Sequence, residues 1–159
     1  MTTKNTDLVA NFEATPQVAN SAAELAGVLR TAHGSVELAA GDSTDNDIVM
    51  LAPIPSNASI PTLFVGSDTF GGSCTFNVGI YTSAGVVKDE DVFATSVADA
   101  AAMADVRYEA ADLNTGSKKL WELAGDSEDP GGYFYVAITF DATGGTVGTL
   151  NWNISYVVN

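Results

Sequence analysis

The acidic side chains are the residues of this sequence whose types and spacing could do chemistry. Asp42, Asp45 and Asp47 fall in one short polar stretch, and two more acidic groups follow at residues 89–91 and 126–129. Calcium takes roughly six to eight oxygen ligands, so a dense acidic loop could supply part of a site. The stretch lacks the glycine and the closing glutamate of an EF-hand loop. We therefore interpret these carboxylates as solvated turn residues, with Asp42, Asp45 and Asp47 as weak candidates for a metal site.

His33 and Cys74 are each the single residue of their type, and neither predicts a catalytic centre. His33 has no nucleophile or carboxylate beside it in a recognised motif, so we expect a loop residue. Cys74 lies on the apolar side of an alternating stretch, which predicts a buried thiol with a raised pKa. Phosphate-binding, dinucleotide-binding and hydrolase motifs do not occur. The sequence favours a protein that is not an enzyme and needs no cofactor, although a carboxylate pair assembled by folding would fit a hydrolase.

The charge balance excludes several classes of partner. Six Lys and Arg residues stand against 20 Asp and Glu, which gives a net charge of −14. Nucleic-acid binding without sequence preference needs clustered cations, so we expect no nucleic-acid partner. No apolar run reaches the roughly 18 residues that span a bilayer, so we expect no membrane partner. The sequence starts without the basic and apolar regions of a secretion signal.

Alternation of apolar and polar residues predicts most of the strands. Residues 73–81 alternate strictly and are joined by a tight turn to Val86 and Val87, which predicts a hairpin. Residues 133–140 and 146–158 alternate on either side of a turn-rich stretch, which predicts a second, long hairpin. Seven or eight strands with only two short helices predict an all-β antiparallel sandwich, and within that class a jelly roll.

The sequence divides into an N-terminal arm at residues 1–33 and a β-sandwich domain at residues 34–159. Residues 1–17 show no sustained period, which predicts an irregular arm. Residues 21–29 begin with a capping-box pattern and predict a short amphipathic helix. Residues 117–124 predict a second short helix that ends at a glycine.

Three tyrosines are candidates for surface contacts. Tyr133 and Tyr135 lie opposite the apolar side of their strand, and Tyr81 ends the alternating stretch at 73–81. Exposed aromatic rings can bind sugars or partner proteins. The same rings could equally form a second buried face of the sandwich, so both interpretations stay open.

Two stretches carry a family resemblance: TFNVGIYTSAGVVKDEDVFATSV at residues 75–97 and KKLWELAGDSEDPGGYFYVAITFDATGGTVGTLNWNISYVV at residues 118–158. From about Ile60 onward the sequence resembles the jelly-roll capsid decoration (cement) proteins of tailed bacteriophages. The resemblance implies a structural virion protein, made in the host cytoplasm, that binds and stabilises the outer surface of an assembled capsid. It further implies the major capsid protein and other copies of this chain, as a homotrimer, as partners.

Within this hypothesis the apolar residues of the arm and its helix would contact the capsid or neighbouring copies. These residues are Leu8, Val9, Phe12, Leu25, Val28 and Leu29. The negative charge would repel packaged DNA, which favours an external position. The alternative hypothesis is a carbohydrate-binding or adhesion module displayed on a phage particle, with Tyr81, Tyr133 or Tyr135 in contact with the sugar.

Overall fold

The computed structural model describes residues 6–20, 25, 27–99, 102–108 and 113–158, and strands dominate these ranges. The strands are β1 (Leu29–Leu38), β2 (Ile48–Pro55), β3 (Ala58–Ser67), β4 (Thr75–Tyr81), β5 (Val87–Ala98), β6 (Ala104–Asp105), β7 (Tyr133–Ala142) and β8 (Gly148–Val158). The helices are α1 (Asp7–Glu13) and α2 (Leu120–Leu123), with a single 3-10 turn at Leu113–Thr115.

The strands form two four-stranded antiparallel sheets. Sheet I has the order β1-β8-β3-β6, and sheet II has the order β2-β7-β4-β5. The first strand pairs with the eighth, the second with the seventh, the third with the sixth and the fourth with the fifth. This nested pairing is the topology of a jelly roll, in which one long folded ribbon wraps into two sheets. The predicted all-β sandwich is confirmed.

The predicted long C-terminal hairpin is wrong, although both of its strands exist. β7 pairs with β2 and β4 in sheet II, whereas β8 pairs with β1 and β3 in sheet I. Residues 143–147 therefore cross from one sheet to the other, a gap of roughly 10 Å. Gly145 and Thr146 hold this connection in place by donating backbone hydrogen bonds to the carbonyl of Phe70, at 2.7 and 2.8 Å. The predicted hairpin of β4 and β5 is confirmed.

The N-terminal part of the sequence folds differently from the prediction. Residues 7–13 form a helix where an irregular arm was expected. The helix predicted at 21–29 is wrong at its end, since residues 27 and 28 are not helical and Leu29 starts β1, while residues 21–24 and 26 lie outside the described ranges. Leu29 pairs with Val157 of β8. A nine-residue helix is only marginally stable by itself, so the end of this segment joins the sheet instead.

The second predicted helix is shorter than expected. It begins at Leu120, where the Glu122 carboxylate accepts a hydrogen bond from the Lys119 amide at 2.8 Å. It ends before Gly125, whose φ of 76° lies in the left-handed region that favours glycine. Leu120 and Leu123 are buried, so this turn of helix closes the core beside β3.

The core lies between the sheets and is rich in aromatic rings. Phe70 and Phe140 meet edge to face with ring centroids 5.5 Å apart, and Phe76 meets Phe140 in the same way at 6.1 Å. Edge-to-face rings add about 0.5–1.5 kcal/mol to the burial of their area. Trp152 packs against this core and lies over Gly34 on the neighbouring strand, where a Cβ atom would come within 2.7 Å of the indole.

A large bulge in β5 covers part of the outer face of sheet II. Residues 90–93 stand opposite Gly79 alone, because the pairing jumps from Ile80 with Asp89 to Val78 with Ala94. A Cβ atom on Gly79 would lie 2.1 Å from the Asp89 carbonyl oxygen. Glycine is therefore required at this position so that the backbone of the bulge can lie against the sheet.

Arg107 is buried and fastens the loop after β6 to β3. Its Nε donates to the Ile60 carbonyl at 2.7 Å, and its terminal nitrogens donate to the carbonyl and hydroxyl of Thr115 at 2.9 and 3.2 Å. The guanidinium carbon lies 5.0 Å from the ring centres of both Phe93 and Tyr108. Burial lowers the pKa of Arg107 from its ordinary value. These contacts hold a charged side chain inside the sandwich.

Candidate interaction surfaces

The carboxylates of Asp42 and Asp47 close turns, and Asp45 lies in the same loop. The Asp42 carboxylate accepts a hydrogen bond from the Ala39 amide at 2.9 Å, and the Asp47 carboxylate accepts one from the Thr44 amide at 2.8 Å. The Asp45 amide donates to the Thr143 hydroxyl at 3.1 Å. Among the described residues, no group of three or more His, Cys, Asp or Glu side chains could hold a metal ion. Asp42 and Asp47 therefore have structural roles in this loop.

His33 and Cys74 occupy unlike environments. His33 lies within β1 rather than in the expected loop, and its exposed side chain stands opposite Asn153 of β8. Cys74 is a free, buried thiol just before β4. Burial, and secondarily the charge of Asp99, raises the pKa of Cys74. This agrees with the prediction of an unreactive thiol.

The N-terminal segment, defined here as residues 6–20, presents apolar side chains to solvent. α1 contains no buried residue, and the Phe12 ring is 65% exposed. Leu8, Val9 and Phe12 lie three and four residues apart on one side of the helix. The Asn11 side chain donates to the Asn20 side chain at 2.9 Å, which ties the helix to the chain that follows it. The segment is therefore locally ordered but apolar on its surface.

Leu25, Val28 and Leu29 also lie at the surface, though not on a common helix. Leu25 is in a turn, Val28 has no regular structure and Leu29 is the first residue of β1. All three are exposed, Val28 by 72%. Leu29 thus places one of these exposed apolar side chains at the start of β1, the edge strand of sheet I.

The outer face of sheet II carries a second apolar surface, which we name the apolar stripe. Its exposed members are Ile48, Met50, Val86, Val87 and Tyr133. One cross-strand row runs from Val87 through Tyr81 and Tyr135 to Pro53, and Tyr133 stands opposite Pro55. Sequence reasoning found the tyrosines but missed Ile48 and Met50, because alternation alone does not say which face of a strand the rest of the fold covers.

Tyr81 is buried on the outer face of sheet II and is not available at the surface. Its side chain is 1% exposed, and its hydroxyl is hydrogen-bonded to the Thr139 hydroxyl. Burial is the main cause of its raised pKa. The expectation that Tyr81 contacts a sugar or partner is therefore wrong for this structure. Tyr133 remains 62% exposed, and Tyr135 is half-buried.

The outer face of sheet I carries a group of uncharged polar side chains on β1 and β8. His33 and Ser35 of β1 stand opposite Asn153 and Asn151 of β8. Met103 borders these residues and helps to enclose a shallow groove. We name this surface the polar groove. The two outer faces of the sandwich thus offer different chemistry, apolar on sheet II and hydrogen-bonding on sheet I.

Two carboxyl groups at the surface have shifted pKa values. Asp129 accepts hydrogen bonds from the Ser56 hydroxyl at 2.6 Å and the Gly131 amide at 2.9 Å, and these bonds lower its pKa. Asp89 lies in the β5 bulge, where burial and the neighbouring Asp91 raise its pKa. Asp129 joins the loop after α2 to the end of β2, so its charge has a structural role.

No protein-family model and no curated protein sequence matches this chain. A chain of the cyanophage Pam1 capsid asymmetric unit has a similar structure, with a TM-score of 0.51 and 18% identity over 84% of this chain and 86% of that chain. A chain of the acid-stable capsid of Helicobacter pylori bacteriophage KHP30 has a TM-score of 0.36 and 12% identity, over 82% of this chain and 94% of that one. The likeness to the Pam1 chain is one of fold.

These surfaces are suited to binding. Within the described ranges, the Asp42 and Asp47 carboxylates accept backbone hydrogen bonds in their turns. No helix in the described part of the chain has the length and apolar character needed to cross a membrane. The arrangement offers an apolar N-terminal segment, an apolar stripe and a polar groove on a rigid sandwich.

Proposed function

We propose that this protein is a structural component of a tailed-bacteriophage virion that binds the outer surface of the assembled capsid and stabilises it. The fold similarity to the Pam1 capsid chain supports a role in a phage particle. The sequence resemblance to capsid decoration proteins supports the finer assignment. The protein would be made in the host cytoplasm and added to the capsid from outside.

The exposed apolar N-terminal segment is the observation that carries the binding part of the proposal. α1 buries none of its residues, so packing within the chain adds little to the stability of this short helix. Its apolar side therefore needs another surface to pack against. In the proposal, Leu8, Val9 and Phe12 pack into the major capsid protein. Leu25, Val28 and Leu29 extend the same contact along the edge of sheet I.

The apolar stripe supports association between copies of the chain. Met50, Val87 and Tyr133 are exposed on one face of a sheet, and such surfaces commonly mark protein interfaces. In the proposal, this face joins neighbouring copies into a homotrimer on the capsid. The bound copies would link adjacent capsid subunits by burying further area across the seams between them.

The charge of the chain favours the outside of the shell. A net charge of −14 opposes contact with packaged nucleic acid, whose backbone is also negative. The tyrosine-based alternative, a carbohydrate-binding or adhesion module, is weakened because Tyr81 is buried. Tyr133 and Tyr135 lie beside the prolines of β2, on the face that we assign to protein contacts.

Co-sedimentation with capsids that lack this protein tests the proposal. The full chain is expected to sediment with the particles, and a chain without residues 1–17 is expected to stay in solution. Phe12→Ser should weaken binding, whereas Leu113→Ser, which changes an equally exposed apolar residue far from the segment in sequence, should not. Equal binding by the full and shortened chains would contradict the role of the N-terminal segment.

Sedimentation velocity of the free protein tests the self-association separately. The full chain is expected to form trimers at high concentration, and Met50→Lys is expected to shift it towards monomers because the charge disfavours burial of the stripe. Val147→Lys, a charge at another exposed apolar position, serves as the matched control. Monomers at every concentration, or an equal effect of both substitutions, would contradict the trimer.

A further inference from the structure

The polar groove on sheet I is lined by polar and apolar side chains in a strongly acidic chain. Within the described ranges it is lined by His33, Gly34, Ser35, Met103, Asn151, Trp152 and Asn153. None of these is Asp, Glu, Lys or Arg, in a chain whose net charge is −14. A ligand that fits this groove must therefore be recognised by hydrogen bonds and shape, since ion pairing is absent there.

The strand register arranges four polar side chains as a compact array. Ser35 stands opposite Asn151, and His33 stands opposite Asn153. Asn151 and Asn153 are two residues apart on β8, so both point to the same face of the sheet. Directly opposed side chains on neighbouring strands lie about 5 Å apart, a spacing comparable to the width of a small ring.

The chain at Met103 forms one side of the groove, because its backbone lies close to Gly66 of β3. A Cβ atom on Gly66 would lie 2.9 Å from the Met103 nitrogen and 3.0 Å from its Cα atom. The chain at Met103 can therefore lie against the sheet only because residue 66 is glycine. The Met103 side chain is exposed beside the array, and Phe64, which stands opposite Asn153 on β3, is 37% exposed.

The polar side chains of the groove are not used by the fold. In the described part of the chain, none of the hydrogen bonds involves the side chains of Asn151, Asn153 or Ser35. The next cross-strand pair on this face differs, because the Thr149 hydroxyl donates to the Glu37 carboxylate at 2.7 Å. Asparagine is disfavoured in strands, so two of them on a central strand cost stability. Their amide groups are free to bind a ligand.

We propose that the polar groove binds a neutral saccharide. A side-chain amide offers one acceptor and two donor hydrogens, which match the paired hydroxyl groups of a sugar ring. Phe64 and Met103 supply apolar surface for the C–H faces of the ring. The lack of cations disfavours phosphorylated or acidic sugars. This activity is additional to capsid binding and uses the opposite face of the sandwich from the apolar stripe.

Nuclear magnetic resonance of the nitrogen-15-labelled full chain tests the proposal. Glucose, galactose, mannose and N-acetylglucosamine are added separately up to about 10 mM, with glucuronate as the charged comparison. At least one neutral sugar is expected to shift the side-chain amide signals of Asn151 and Asn153. The double variant Asn151→Ala with Asn153→Ala should bind about tenfold more weakly or worse. Asn114→Ala, at an exposed asparagine elsewhere, should bind normally.

Three results would overturn the proposal: no signal shifts with any neutral sugar, equal binding by the double variant, or binding of glucuronate alone. The same spectra report whether the double variant is folded, and Ser35→Ala provides a milder second variant that should also weaken binding. Capsid co-sedimentation of the double variant is expected to be unchanged. Loss of sugar binding with intact capsid binding separates this proposal from the proposed structural function.

Discussion

In the sandwich, Phe70, Phe76 and Phe140 meet edge to face inside the core, whereas in the N-terminal segment the Phe12 ring is 65% exposed and α1 buries none of its residues. The same type of side chain therefore serves stability in one part of the chain and is available to a partner in the other. Substitutions in the sandwich should change folding, and substitutions in the segment should change binding with little effect on folding.

Phe76→Ala is expected to have the largest effect on stability. Removing a buried aromatic ring costs about 3–5 kcal/mol, through lost burial and the cavity left behind. Phe64→Ala, at a position 37% exposed, is the comparison variant and should cost less, about 1–2 kcal/mol. Urea unfolding followed by fluorescence measures both values. A similar loss of stability for the two variants would contradict the assignment of Phe76 to the core and of Phe64 to the surface.

Arg107→Met should cause the second-largest loss of stability. The change leaves the Ile60 carbonyl without its arginine donor, and an unsatisfied buried carbonyl costs about 1–3 kcal/mol, offset in part by the apolar methionine. The Thr115 carbonyl keeps the Lys118 amide as a donor, at 3.1 Å. A net loss of about 1–2 kcal/mol in the free energy of unfolding is expected. Arg30→Met, at an exposed arginine of β1, should have almost no effect. Equal stability of the two variants would contradict the role of the buried contacts.

Asp129→Asn should produce a smaller, pH-dependent effect. The hydrogen bonds from Ser56 and Gly131 lower the pKa of Asp129 in the folded state, so its carboxylate adds stability above the ordinary pKa of about 3.9. That stability is lost as the pH falls through the lower folded-state pKa. Melting temperatures at pH 7 and pH 3 should therefore differ less for Asp129→Asn than for the unsubstituted chain. Asp45→Asn, whose carboxylate accepts none of the described hydrogen bonds, is the control.

Phe12→Ser should have the smallest effect on stability. The free energy of unfolding is expected to change by less than about 0.5 kcal/mol, because the ring is largely in solvent already. Capsid binding by the same variant should nevertheless weaken. A large loss of stability would show that the segment packs on the sandwich in solution, which would end the contrast between the two parts.

Local sequence patterns predicted the strands better than their partners. The alternation in residues 75–81 and 133–140 correctly indicated strands, and the β4–β5 hairpin followed from its tight turn. The same reasoning joined β7 to β8, which lie in different sheets. It also left open whether Tyr81 is exposed, because alternation assigned one face to the core and did not reveal the bulge that covers the other face.

The acidity, the lack of clustered cations and the many short strands are properties of the sequence alone, since they depend on composition and on neighbours a few residues apart. The candidate surfaces depend on contacts between distant residues. Leu29 pairs with Val157, and the backbone of Met103 lies over Gly66. Because such contacts form only when segments distant in sequence come together, folding decided which tyrosine is buried, which asparagines line a groove and which apolar side chains remain for a partner.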